Sequence, residues 1–224
     1  MNTLEHTLIL KRVGAVLLAV GVIDIAVMIY CITNQISYSS SFNIFAVVAG
    51  VLLLRGNLRA ASAVRWFAVF MLSTFITLLI AWPFLQPLDL TLTQIRLNPG
   101  AFVATVAFIA FVLAFLFWVA MELGRGPIQA ARSKAGRKPR DMRIPAVVGV
   151  GSVVVLGVFS TLLLGGDSAE RAKSMAEQQV GPGYRFHVSS LSITQNSRGT
   201  FGSGIVTAWN DREIKTIPVR WEER

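Results

Sequence analysis

For three quarters of its length the chain alternates long apolar runs with short polar breaks, and its last quarter changes to a two-residue alternation. The apolar runs are Val13 to Ile32, Phe42 to Leu54, Trp66 to Trp82, Ala101 to Met121 and Pro145 to Leu164. Crossing a hydrocarbon core of roughly 30 Å takes about 17–25 helical residues, so four runs are long enough unaided. The second is too short. It must borrow from the uncharged Ile36-Ser37-Tyr38 segment or thin the bilayer locally.

These runs predict a membrane all-α bundle of five transmembrane helices, over 13–32, 38–54, 66–82, 101–121 and 145–164, within residues 1–165. Between the third and fourth, Pro83, Pro87, Pro99 and Gly100 punctuate a loop whose Leu85, Leu88 and Leu92 recur at helical spacing. A short helix on the membrane surface is expected there, although with Leu90 the same leucines also alternate as a strand would.

Residues 166–224 predict a small extracytoplasmic α+β domain, a helix followed by a three-stranded antiparallel meander. Asp167 is placed to cap a helix with Ala169, Ala172, Met175 and Ala176 on one face, and Gly181-Pro182-Gly183 ends it. Tyr184, Phe186 and Val188 then alternate, and Leu191 and Ile193 continue on the opposite parity, which predicts a bulge near Ser189-Ser190. Phe201, Ile205, Thr207 and Trp209 form a second run, and Asn210-Asp211 turns into a third with Ile217, Val219 and Trp221 on one face. Pro218 makes that third run an edge strand or the start of a split one. Gly202-Ser203-Gly204 is expected to mark a bulge or a close approach of another chain segment.

Charge fixes the orientation. The chain carries 21 Lys and Arg against 12 Asp and Glu, a formal +9. The stretch Gly124 to Arg143 alone holds Arg125, Arg132, Lys134, Arg137, Lys138, Arg140 and Arg143 against Asp141. Basic residues beside membrane spans stay cytoplasmic, so this loop, together with Lys11, Arg12, Arg55, Arg59 and Arg65, places the amino terminus inside and the carboxyl terminus outside. The excess charge is therefore a signal of topology, and no nucleic-acid partner is expected. The location this implies is a bacterial inner (plasma) membrane, with the tail in the periplasm.

Within the predicted spans Asp24 is the ionisable residue that lies deep, about eleven residues from the inner end of the first. A carboxylate at that depth is costly and marks either a polar tie between helices or a proton, ion or substrate path. Thr77 lies at matched depth in the third span and Thr74 one turn nearer the cytoplasm, so Asp24, Thr74 and Thr77 form the candidate intramembrane polar site, read first as a tie. Small residues Ala15 and Ala19 in the first span and Ala46 and Gly50 in the second are expected to pack within the chain, with a contact between copies as the alternative.

Other chemistry is sparse. Cys31 is the single cysteine and His6 and His187 the two histidines, with no ligand spacing between them, so no metal or cofactor site is expected. No phosphate loop, nucleophile elbow or His-Glu metalloprotease motif occurs, so no catalytic residue is assigned. Leu53-Leu54-Arg55-Gly56 through Ala61 parallels Leu123-Gly124-Arg125-Gly126 through Ala131, so the first two helical hairpins could be related units. On architecture alone the expected function is a non-enzymatic membrane protein whose outer domain binds a protein partner or senses the envelope. A small transporter or channel component using Asp24 is the alternative.

Overall fold

The computed structural model describes residues 2–36, 38, 42–136, 140–164, 166–196 and 199–223. Arg137 and Lys138 of the basic loop, and the serines at 37 and 39–41, lie outside them. The elements in order are α1 (Asn2–Thr33), α2 (Phe42–Leu54), α3 (Leu58–Leu85), α4 (Leu88–Leu97), α5 (Pro99–Glu122), α6 (Gly126–Lys134), α7 (Arg143–Leu164), α8 (Asp167–Val180), β1 (Arg185–Asn196), β2 (Gly199–Trp209) and β3 (Ile214–Glu223).

Among the described residues four stretches are long and apolar enough to cross a membrane: Glu5–Thr33 in α1, Leu58–Leu85, Pro99–Glu122, and Arg143–Leu162 in α7. In the second expected crossing the helix described is Phe42–Leu54, and its 13 residues rise about 20 Å; residues 39–41 of that expected crossing lie outside the described ones. The chain divides into two compact units. One comprises Met1–Thr74 with Phe111–Gly149, the other Phe75–Ala110 with Val150–Arg224.

In the first unit, α1 and α2 form an antiparallel hairpin set by two glycines. A Cβ on Gly50 would lie 2.8 Å from the Gly14 carbonyl oxygen and 2.8 Å from the Leu18 nitrogen, and one on Gly14 would lie 2.9 Å from the Gly50 oxygen. The backbones therefore touch, as small-residue crossings allow. Around this point Leu10, Val13, Leu17, Ala49 and Leu53 are buried together with Ala60, Ala61, Val64 and Ala68 of α3 and with Val119, Ala120, Leu123 and Ile128. Packing of the two helices within the chain is as expected, but on α1 the face is Val13-Gly14-Leu17. Ala15 and Ala19 are exposed, because the rotation of α1 that brings Gly14 to the contact turns them away.

Gly56 closes α2 in a left-handed conformation (φ 73°), and its N–H donates to the Leu53 oxygen at 2.9 Å. Asn57 then caps α3, its Oδ1 accepting from the Arg59 N–H at 2.9 Å. The parallel segment leads into α6, a helix not anticipated in the basic loop, with proline in its first turn. Ile128 and Arg132 of α6 are buried, and Arg125 meets the buried Glu122 at 2.8 Å. Gly124 leaves room for the Arg65 guanidinium, which a Cβ there would approach to 2.8 Å.

In the second unit, the leucine-rich loop is the helix α4, with Leu90 and Thr93 buried and Leu88 and Leu92 exposed on its other side. The tail is a helix and a three-stranded antiparallel sheet in the order β1-β2-β3. Ala169, Ala172 and Ala176 of α8 pack on Val188, Val206, Ala208, Ile217 and Val219. The β1–β2 register shifts between Val188 and Ser190, the expected bulge. Asp167 lies in the first turn of α8 while Gly166 occupies the capping position, without a side-chain bond, so the capping expectation is off by one residue. Gly202 faces the Trp221 indole, which a Cβ would overlap, so the glycine serves a close approach.

Because Gly50 has backbone on two sides, Gly50→Val must separate the hairpin. We expect a loss of about 1–3 kcal/mol or more in reversible unfolding in mixed detergent micelles, against little change for Ala15→Val on the exposed face.

Candidate functional site

Asp24 lies on α1 about two turns beyond the glycine contact. Residues 14 and 18 face 50 and 54, so equal helical rise carries the first residue of α2 to about the level of Asp24. Helix α1 continues to Thr33, so Tyr38, five residues later, lies back alongside its last turns. Tyr38 donates its hydroxyl to the Asp24 carboxylate, and lies 3.3 Å from the Asp24 carbonyl oxygen. A phenol donating to a carboxylate is a charge-assisted bond, of the strong class. It gives the Asp24 side chain a hydrogen-bond partner on a helix whose other residues there are apolar.

Of the expected partners, Thr74 donates to the carbonyl of Phe70 on its own helix at 2.9 Å, as Ser73 does, and Gly149 of α7 packs against all three. Thr77 lies one turn further along α3, in the second unit. Tyr38 is the partner that sequence reasoning missed. Its signal was a phenol in an uncharged polar connection beside an apolar run too short to match α1.

The second candidate is the face of the sheet opposite α8. Alternation from the buried Val206 and Ala208 assigns it the cross-strand rows Arg185–Trp209–Ile214, His187–Thr207–Thr216, Ser190–Ile205–Pro218, Ser192–Ser203–Arg220 and Thr194–Phe201–Glu222. The first row is anchored within its unit. The Arg185 guanidinium lies 2.6 Å from the Asp89 carboxylate of α4, and Trp209 is only 4% exposed. The Trp209 indole N–H has no hydrogen-bond partner among the described residues, a cost that a bridging water would relieve.

The other end of the face is open. Ile205 and Phe201 are 41% and 36% exposed, and at this end of the sheet a shallow cavity of about 360 Å³ is lined by Thr194, Phe201, Ser203, Arg220 and Glu222 of the open face and by Trp221 of the α8 face. The lining offers hydroxyls, one guanidinium, one carboxylate and aromatic rings. It lacks a nucleophile paired with a base. Among the described residues no three His, Cys, Asp or Glu side chains are grouped as metal ligands.

At the margin of the sheet Tyr184 donates to the Glu213 carboxylate, and Lys215 lies 2.8 Å from that carboxylate and 2.9 Å from the Tyr184 oxygen. These bonds hold Glu213 below the usual carboxylate range and push Lys215 up to about 12. The cluster is exposed, so it contributes little to stability. His187 is held below its ordinary value, first by burial and then by the charge of Lys173.

No family model, no curated protein and no solved structure matches this chain.

Two outcomes follow. Tyr38→Phe removes the donor to Asp24 and is expected to cost about 1–3 kcal/mol. Much of that loss should be absent in an Asp24→Leu background, so a double-mutant cycle read by detergent unfolding checks the coupling. For His187, the unfolded chain binds the proton more readily than the folded one. Its contribution is complete above about pH 6.5 and is lost as pH falls through the lower folded value. The melting temperature of the tail domain should drop over that window, and His187→Gln should flatten the drop.

Proposed function

We propose that this chain is a non-enzymatic integral protein of a bacterial inner membrane whose periplasmic domain, about residues 166–224, binds a protein partner. In this reading the chain passes the membrane five times, with the lipid bilayer around its apolar helices and α2 completing its pass through the connection containing Tyr38. The basic residues at alternate ends of the runs support an amino terminus in the cytoplasm and a carboxyl terminus outside.

The observation that carries the reading is the open end of the sheet, with Phe201 and Ile205 exposed on a face that α8 does not cover. A domain of about sixty residues buries only some 60% of its unfolded surface, and this one has no disulfide to compensate, since Cys31 is the chain's single cysteine. A partner that covers the face and an edge adds burial the domain lacks. The second reading, a small transporter using Asp24, draws on the Tyr38–Asp24 bond, a polar contact on a helix long enough to span.

Fusions decide the orientation: alkaline phosphatase at the carboxyl terminus should be active, and a cytoplasmic reporter at the same point dark. The reverse pattern overturns the proposal. Substitution separates the two readings. Asp24→Asn should keep cellular function if Asp24 is a tie, and abolish it in a normally folded protein if the residue carries protons. Phe201→Asp with Ile205→Asp should leave folding intact and abolish function if the sheet face is the working surface.

A further inference from the structure

The two outer edges of the sheet are not equivalent. Strand β3 carries Pro218, which lacks an N–H, with Lys215, Arg220 and Glu222 spaced along it. Prolines and charges of this kind discourage another strand from pairing. Strand β1 has its basic residues, Arg185 and His187, before the bulge, and from Ser189 to Thr194 it reads Ser-Ser-Leu-Ser-Ile-Thr, with no charge and no proline. Ser189, Ser190, Ser192, Ile193 and Thr194 are exposed, and β2 is the one strand β1 pairs with in the sheet.

We propose that this edge is the contact between two copies of the chain, β1 pairing antiparallel with β1 of the second copy about a two-fold axis at Ser192. The proposal rests on the partner-binding reading above and names the partner as a second copy. The pattern of the segment is self-complementary. Pairing centred on Ser192 sets Leu191 opposite Ile193 of the other copy, twice, on the face that bears α8, and Ser190 opposite Thr194, twice, on the open face. Ile193 is half exposed and gains cover from Leu191 across the axis. No charged residue falls within the five central pairs, from Ser190 to Thr194, and residue facing residue in both directions is the isologous arrangement a two-fold contact requires. The bulge fixes the register from one side, since beyond Val188 the parity of β1 reverses and the faces no longer match.

Five residue pairs bury well under the roughly 1,000 Å² that a stable soluble interface clears. Tethering compensates. Two copies held in one membrane share an orientation and meet at a raised effective concentration, so a contact too small in free solution becomes populated. The product is a six-stranded sheet with α8 of both copies on the same face and the Phe201–Ile205 surface doubled on the other.

The test uses the full-length chain in membranes, with Cys31→Ser as background. Antiparallel partners have Cα atoms about 4.5–5.5 Å apart, within disulfide reach. A Ser192→Cys variant should therefore form a disulfide-linked dimer on mild oxidation. Ser190→Cys alone and Thr194→Cys alone should not, being offset by about 13 Å from their own copies. Ser190→Cys co-expressed with Thr194→Cys should link again as a heterodimer. Labelling with a membrane-impermeant maleimide reports accessibility before oxidation. Thiols that label fully but never link, thiols that fail to label, or links at 190 or 194 alone without one at 192 each overturn the proposal. A cytoplasmic carboxyl terminus in the fusion assay overturns the partner-binding reading itself, whereas linking of residue 192 to a different protein removes only the second copy.

Discussion

Backbone contact between Gly14 and Gly50 is the constraint on which the first unit depends. Two helices that touch at main-chain distance have one register, and that register fixes the level at which α2 begins. Since α2 is about 20 Å long and ends near the start of the apolar part of α1, its other end falls short of the far end of α1. Tyr38 is thereby brought to the level of Asp24, where it meets the carboxylate. A carboxyl group among apolar side chains needs a hydrogen-bond partner, and the shortness of α2 is what lets a polar residue from outside both helices reach it, so the carboxylate and the short helix are two sides of one arrangement.

The second unit depends on a different balance. Alanines at 169, 172 and 176 let α8 lie close on the sheet, and the buried valines and Ile217 complete a core of small volume. Ion pairing of Arg185 with Asp89 ties one end of the sheet to α4, while the other end carries exposed aromatic and aliphatic side chains. The ion pair is exposed and adds little to stability, so what it sets is which end of the sheet lies against α4 and which end stays uncovered.

Much of this was legible from the order of residues. Length and apolarity alone located four helices able to cross a membrane, because no other element can be built from such runs in lipid. The tail was readable to the level of its bulge, since a reversal of parity between Val188 and Leu191 has one simple structural meaning. What could not be read was whatever depends on how two segments meet. Ala15 and Ala19 satisfied the small-residue pattern as well as Gly14 does, and only the rotation of α1 distinguishes them. Tyr38 carried no periodic signal, because its contact with Asp24 follows from the hairpin register. Helix α6 was hidden because its charges resemble a loop, although Pro127 stands where a helix begins. The Arg185–Asp89 pair joins segments far apart in sequence, and neither residue announces it.

One feature of α5 bears on how such a protein responds to its surroundings. From Pro99 to Phe108 every residue of that helix is exposed, and the side chains are almost wholly apolar, with Phe102, Val103, Val106 and Phe108 pointing in all directions. A helix held by neighbours has its inclination dictated by packing, and the exposure of this half means that the described residues dictate little of it. In a bilayer its inclination follows the thickness of the hydrocarbon layer, leaning further where the layer is thin and standing straighter where it is thick. In such a layer a change of inclination would carry Asn98 and the end of α4, which adjoin its first turn, along with it.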